Sequence, residues 1–483
     1  MVWLYLRALG LVYLCAFLSF WVQLEGLIGP EGILPATETM TLAAESASVS
    51  IFDFPTWCWF GAGSTSLHLQ AALGAMGSLL LLLGIANAPL VALLWSLYLS
   101  FATVGRVFMG YQWDNLLLEA GLLALFFVPF RSAFAHRSLA TSRLGLWLHR
   151  LLVFRLMFSS GFVKLRSGDL AWRELDAMKY HYETQPIPTS LSWYVHQLPS
   201  SVHEASVILV FAVQLGGALL LFGPRRVRHL GALALMGLQI LILLTGNYGF
   251  FNLLSLALLI LCFDDRALVG RIPSRLRAWL LARPFANPPK GRARSVRLAL
   301  ERSLGAGLLV LAGLTFAGTL GLQIRGDGPM GRVVSWAAPF RSVNNYGLFA
   351  VMTTERPEIE IEGSDDGLRW TPYVFKHKVG PVERNSALIL PHMPRLDWQM
   401  WFAALGTADR NPWFGRFLLT LLEGKRPVLS LLAADPFAGK PPRFVRATLW
   451  DYRFTNAKTR RETGQVWQRQ ERGLYFRAVE RPH

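Results

Sequence analysis

The residues of this chain that could do chemistry sit in strongly apolar sequence. Asp114 and Glu119 lie at the edge of and within the apolar run 115–130, and Arg155 and Lys164 lie within the run 148–165. A charge inside a membrane span is expensive unless it is paired or hydrated, so each of the four is a candidate functional residue. If the two runs pack as antiparallel helices, Asp114 and Lys164 reach the same outer depth, while Glu119 and Arg155 lie deeper. The four therefore read as structural ion pairs, Asp114 with Lys164 first among them, or as the wall of a polar catalytic or ligand cavity. Proton-transfer chemistry would draw on Lys164 and His181, and the lysine must lose its proton before it can act as a base.

A second polar concentration follows in HYETQPIPTSLSWYVHQLP, residues 181–199. His181, Glu183 and Gln185 alternate as on one side of an extended segment, and Pro186 and Pro188 hold that segment out of a helix. With Tyr182, Trp193 and His196 they form a stiff outer collar over the helices, within residues 166–203. A metal would need three or four converging ligands, so His181 and His196 alone predict no metal site. The chain has no G-x-S-x-G elbow, which argues against a lipase of that fold. Arg325-Gly326-Asp327 is a short match without weight.

The elements that must position these residues are membrane helices. Of the 483 residues, 53% are hydrophobic and 16% charged, the composition of an integral membrane protein. Apolar runs near the roughly 20 residues a span requires occur at 3–23, 69–86, 88–105, 115–130, 148–165, 204–222, 229–245, 248–263 and 303–323. About nine spans are expected, the first a retained anchor because it lacks a small-residue cleavage site. Loop 24–68 has no Lys or Arg, loops 131–147 and 223–229 carry three Arg each, and 264–302 carries ten basic residues. Basic loops stay inside, which puts the N-terminus in the cytoplasm and the collar, the Gly246–Gly249 turn and everything after about residue 324 outside. The net charge of +17 is then explained by inner loops on anionic lipid, and no nucleic acid partner is expected. Cys15, Cys58 and Cys262 predict no disulfide and no CxxC redox motif.

Beyond residue 324 the pattern changes. Glu358-Ile359-Glu360-Ile361-Glu362 alternates, GSDDG at 363–367 is a turn cluster, and Trp370 to Phe375 resume a strand-like run, together a hairpin. RFVRATLWDYRF at 443–454 reads as a strand, and WFGRFLLTLLEG at 413–424 as a helix ending at Gly424. The fold class is thus a polytopic α-helical membrane protein, residues 1–324, with a mainly β, sandwich-like extracytoplasmic domain over 325–483.

YQWDNLLLEAG (111–121), RLMFSSGFVKLRSGDLAWRELDAMKYHYETQPIPTSLSWYVHQLP (155–199), LTGNYGFFNLL (244–254), NNYGLFAVMTTERPEIEIEGSDDG (344–367) and PRLDWQMWFAAL (394–405), in this order, resemble the lipase maturation factor family. The resemblance implies a polytopic membrane protein whose outward C-terminal portion helps secreted clients such as lipases fold and assemble, in the endoplasmic reticulum of a eukaryote or the inner membrane of a bacterium. Absent N-x-S/T sites fit the bacterial setting. In this reading Asn247, Tyr248, Asp397, Trp398 and Trp401 are client-facing candidates, the partners are the bilayer and a secreted protein, and no cofactor is needed. SGFVKLRSGDLAW alone is similar to vitamin-K-dependent carboxylase-like membrane proteins, which would make Lys164 a base acting with a quinone-like hydrophobic cofactor.

Overall fold

The computed structural model describes residues 1–46, 49–129, 142–269, 292–322 and 326–481. Its principal helices are α1 (Val2–Trp21), α2 (Ser64–Leu83), α3 (Ala88–Val104), α4 (Gln112–Ala124), α5 (Arg143–Arg166), α6 (Ala177–Thr184), α7 (Ser190–His196), α8 (Ser200–Leu220), α9 (Arg225–Thr245), α10 (Phe251–Ile260), α11 (Arg292–Thr319), α12 (Pro329–Ala337), α13 (Arg395–Ala404) and α14 (Pro412–Leu422). Local sequence sets their ends. Gly84 closes α2 in the left-handed conformation, φ +120°, which glycine adopts without steric cost. Asn87 caps α3 by accepting from the Leu90 amide, with Pro89 in the first turn, where its missing N–H is not needed.

Each of the nine apolar runs contains helix, but among the described residues six helices are long and apolar enough to cross a membrane: α1, α2, α5, α8, α9 and α11. The runs 88–105, 115–130 and 248–263 give α3, α4 and α10, of 17, 13 and 10 residues. Their apolar sequence continues into turns, a 3₁₀ turn at Leu125–Phe127 after α4 and the loop leading to Phe250 before α10. All three are largely buried, with 11 of 17, 10 of 13 and 7 of 10 residues inside. α1 packs closely on α2: a Cβ at Gly10 would lie 2.6 Å from the Leu82 amide nitrogen, and one at Gly74 would meet the Phe17 ring. Small residues at such crossings let helices approach when lipid gives no hydrophobic drive.

The bundle has two distinct ends. At one, the Met1 amino group pairs with Asp265, Arg225 with Asp264, and Ser142 donates to Glu301. At the other, Ser19 and Gln23 meet Met393 and Arg395 of the C-terminal region. Arg131, Arg137 and residues 270–291, which carry much of the basic loop charge, lie outside the described residues, as does the boundary at 323–325.

The C-terminal region holds one antiparallel sheet of order β2-β1-β3-β4, from β1 (Arg356–Ser364), β2 (Thr371–Pro372), β3 (Phe444–Phe454) and β4 (Trp467–Glu480). The expected hairpin pairs Glu362 with Pro372, and β3 and α14 fall where the sequence places them. A sandwich is not what these residues build. Ile359 and Ile361 are fully buried, and α13 packs on β1 while α14 packs on β3, so helices take the place of a second sheet among the described residues. β4 went unanticipated because its polar, Arg-rich sequence carries little apolar alternation.

Candidate functional site

Of the four candidate charges, Asp114, Glu119 and Arg155 enter two sealed pairs and Lys164 stands apart. Asp114 is bridged by Arg395 of α13, Nη1 to Oδ2 at 2.6 Å and Nη2 to Oδ1 at 2.8 Å, and accepts a 2.5 Å bond from the Tyr98 hydroxyl. Both partners are fully buried. Five residues deeper, Arg155 Nη1 donates to Glu119 Oε1 at 2.6 Å, and Glu119 Oε2 accepts from the Tyr346 hydroxyl at 2.7 Å. Arg155 also donates to the Asn344 carbonyl. The expected Asp114–Lys164 pair does not form. A guanidinium fills both carboxylate oxygens at once, which an ammonium cannot do, and Arg395 stands too far along the chain for spacing to reveal it.

The collar has its own partner. His181 and Glu183 belong to α6 rather than to an extended strand, and the chain extends only at Gln185, where the prolines begin. Arg356, the first residue of β1 and fully buried, donates to the carbonyls of Glu183 at 2.6 Å, Gln185 at 2.5 Å and Pro186 at 2.9 Å. The Glu183 carboxylate accepts the Phe454 amide at 3.0 Å and an Arg453 N–H at 3.2 Å, and lies 3.8 Å from His196. Trp193 donates to the Thr455 carbonyl at 3.0 Å, and Trp401 to that of Thr184 at 2.9 Å. Tyr182 is buried beside them. The collar is the seat of the C-terminal region. His181 faces Tyr248 while His196 faces Glu183, so the two imidazoles do not converge.

The five client-facing candidates are buried as well. Asn247 accepts the Ile389 amide at 2.9 Å and donates to the Ala387 carbonyl at 2.8 Å. Tyr248 donates to Gln185 at 3.0 Å, and Asp397 accepts the amides of His377 and Lys378 at 2.8 Å each. Asn247, Tyr248, Asp397, Trp398 and Trp401 are all buried, so they join bundle to domain instead of presenting a surface.

Between the seat, the bundle and the domain lies a cavity of about 560 Å³, bounded by α5, α6, α8, the start of α4, residues 347–353 and α13. Lys164 is in its wall, 4% exposed. Its Nζ donates to the carbonyls of Ser160 at 2.9 Å and Leu348 at 2.8 Å and to Gln214 Oε1 at 3.3 Å. Gln214 sits in a π-helical turn, Ala212–Gly217, inside α8, a distortion that often marks functional positions. A chain of rings lines the space: Tyr111 stacks on Trp113 at 4.8 Å, Trp113 meets Trp398 at 4.9 Å, Trp398 meets Tyr248 at 5.7 Å, and Phe349 meets His181 at 5.3 Å. Burial, then the Lys164 charge, pulls the His181 imidazole down to about 4, leaving it neutral near pH 7. Three fixed oxygens hold the Lys164 amino group in place, and no relative adds support for carboxylase chemistry through it. What sequence reasoning missed are Arg356 and Arg395, whose only signal was an arginine placed in an otherwise buried pattern.

Two family models match the chain, the lipase maturation factor transmembrane domain over residues 1–270 and the lipase maturation factor C-terminal domain over residues 342–477. The chain is 34% identical to lipase maturation factor 2 of Homo sapiens, covering 99% of this chain and 82% of that protein. It is 35% identical to lipase maturation factor 2 of Gallus gallus, over 99% of this chain and 81% of the relative. With lipase maturation factor 1 of Bos taurus the identity is 34%, over 99% and 88%. No solved structure matches.

Proposed function

We propose, from the premise that this chain belongs to the lipase maturation factor family, that it is an integral membrane protein assisting folding or assembly of secreted client proteins such as lipases. The observation that carries this reading is the joint between the bundle and the C-terminal region. Buried Arg155, Arg356 and Arg395 cross-tie the two, each through several hydrogen bonds. A domain held this firmly at one end of a membrane bundle suits a platform on which a client is held while it folds.

We place the N-terminus in the cytoplasm and the C-terminal domain, from about residue 325, in the lumen of the endoplasmic reticulum or outside the inner membrane of a bacterium. The acidic and basic contacts gathered at the Met1 end support that sidedness. Nine crossings remain our reading, with α3, α4 and α10 reaching through the bundle by way of neighbouring turns. Asn247, Tyr248, Asp397, Trp398 and Trp401 then shape the platform from beneath, and the client touches other residues of the domain.

The test is co-expression with a secreted dimeric lipase in cells lacking their own maturation factor. Active lipase per unit of lipase antigen should rise with the wild-type chain and fall back with Arg356→Met at equal membrane abundance. Unchanged specific activity with the wild-type chain, across several lipases, would sink this reading.

A further inference from the structure

We infer that the cavity at the joint binds a long-chain amphiphile with an anionic head, its carboxylate or phosphate held at Lys164 and its acyl chain lying along the ring-lined wall. The inference concerns a lipid ligand and does not depend on which client the protein serves.

The first observation is the unbalanced cation. All three acceptors of Lys164 are neutral oxygens, and among the described residues no carboxylate lies within ion-pair distance of it, while Asp114 and Glu119 are both occupied by arginines. A buried charge without a counter-charge is costly, and an anionic group entering the cavity is what would offset it. Second, the indole N–H groups of Trp113 and Trp398 are buried without an acceptor, and both residues belong to the same wall. Donors without acceptors, on residues that line the same cavity as Lys164, fit a ligand that brings oxygen atoms. Third, the rim is apolar and open: Val351 is 65% exposed, Phe402 42% and Leu405 43%. Such a rim admits an acyl chain and offers nothing to a small hydrophilic anion. The volume of about 560 Å³ falls within the roughly 300–1,000 Å³ usual for small-molecule sites. A neutral isoprenoid or quinone could use the rings but would leave Lys164 unbalanced.

The full-length protein in detergent is incubated with a palmitic acid analogue carrying a mid-chain diazirine and a terminal alkyne, and cross-links are mapped by mass spectrometry. Saturable labelling is expected on peptides holding Met178, Phe349 and Trp398. Palmitate should compete about tenfold better than hexadecanol, the difference one charged contact can make, and Lys164→Met should erase that preference while the label still enters. The wild-type map and the palmitate-to-hexadecanol ratio carry the test even if the variant fails to fold. Reconstitution in phosphatidylglycerol or phosphatidylcholine nanodiscs separates the sources. Protection by phosphatidylglycerol alone assigns the site to a bilayer phosphate; palmitate competition with protection by neither assigns it to a free acid. Labels confined to lipid-facing residues such as Leu230 and Leu233, equal competition by hexadecanol, or a neutral quinone-like lipid that palmitate does not displace, would each overturn the inference.

Discussion

Asp114 and Glu119 of α4 and Lys164 of α5 are charges of similar burial with opposite fates. The carboxylates are closed by guanidinium groups, Asp114 by Arg395 from far along the chain and Glu119 by Arg155 of the next helix, and they also accept from the hydroxyls of Tyr98 and Tyr346. Lys164 meets carbonyl and amide oxygens and the Trp172 ring, 5.2 Å away, but no carboxylate among the described residues, and borders open space. A sealed pair contributes to assembly and leaves nothing for a ligand, whereas a cation held by neutral groups beside a cavity keeps its charge available. The difference teaches that an intramembrane charge is classified by its partners and not by its depth.

The strongest way to break this comparison is to open a sealed pair. Asp114→Asn leaves Arg395 buried without a counter-charge and should destabilise the protein by about 3–5 kcal/mol, read as a lowered unfolding temperature in detergent and reduced membrane abundance. Combining it with Arg395→Met removes the orphaned charge and should recover much of the loss, because the two changes share one interaction. A double variant as poor as the sum of the singles would show that Arg395 serves something other than Asp114.

Acid should loosen the joint next. Burial, with the Lys164 charge second, lowers His181 to about 4, and burial, with His377 second, lowers His392 to about 4. An unfolded histidine binds its proton near 6.5, so between these values the unfolded chain holds the extra proton. Stability is therefore whole above pH 6.5 and declines as pH falls towards 4, by up to about 3 kcal/mol for each histidine. Denaturant unfolding at pH 7 and pH 5 measures the loss, and His181→Asn should make it shallower without abolishing it, since His392 still titrates. A pH-independent midpoint would mean neither imidazole is sealed. A smaller effect follows from Arg356→Met, which strips three collar carbonyls of their donor and takes from buried Glu358 one of its two cations, Lys378 staying at 2.7 Å. It should cost about 2–3 kcal/mol and raise hydrogen exchange selectively in residues 182–197.

Legibility in the sequence followed the range over which physics could be read. Helix positions came from composition, and the strand at 443–454 and the helix at 413–424 from local pattern, so each stands where expected. Glu119 with Arg155 was also within reach, because both lie on neighbouring apolar helices. Partners drawn from far along the chain were not: nothing local marks Arg395 for Asp114 or Arg356 for the collar. The prolines at 186 and 188 spoke truly of a break in helix, but the break begins one residue before them, and His181 and Glu183 remain helical. Aromatic residues with polar neighbours read as a contact surface, yet in Trp398 and Trp401 they mark the inside of a joint.

The smallest expected effect sharpens the comparison most. Lys164→Met orphans no counter-ion, since none is within reach. Ser160 O already serves the helix backbone, so the variant deprives the Leu348 carbonyl and Gln214 Oε1 of a donor, at about 1–2 kcal/mol. Against this stands the removal of an unbalanced buried charge, which favours the folded state by a comparable amount. The net change should lie within about 1 kcal/mol of zero, several-fold less than for Asp114→Asn. Both variants are measured in one detergent at pH 7, and lipid occupancy is read in parallel. If Lys164→Met is as damaging as Asp114→Asn, the lysine is a structural anchor of the same kind as the arginines, and the division between sealed and available charge fails. If stability holds while the acid-over-alcohol preference of the cavity disappears, the cation is there for what enters the space.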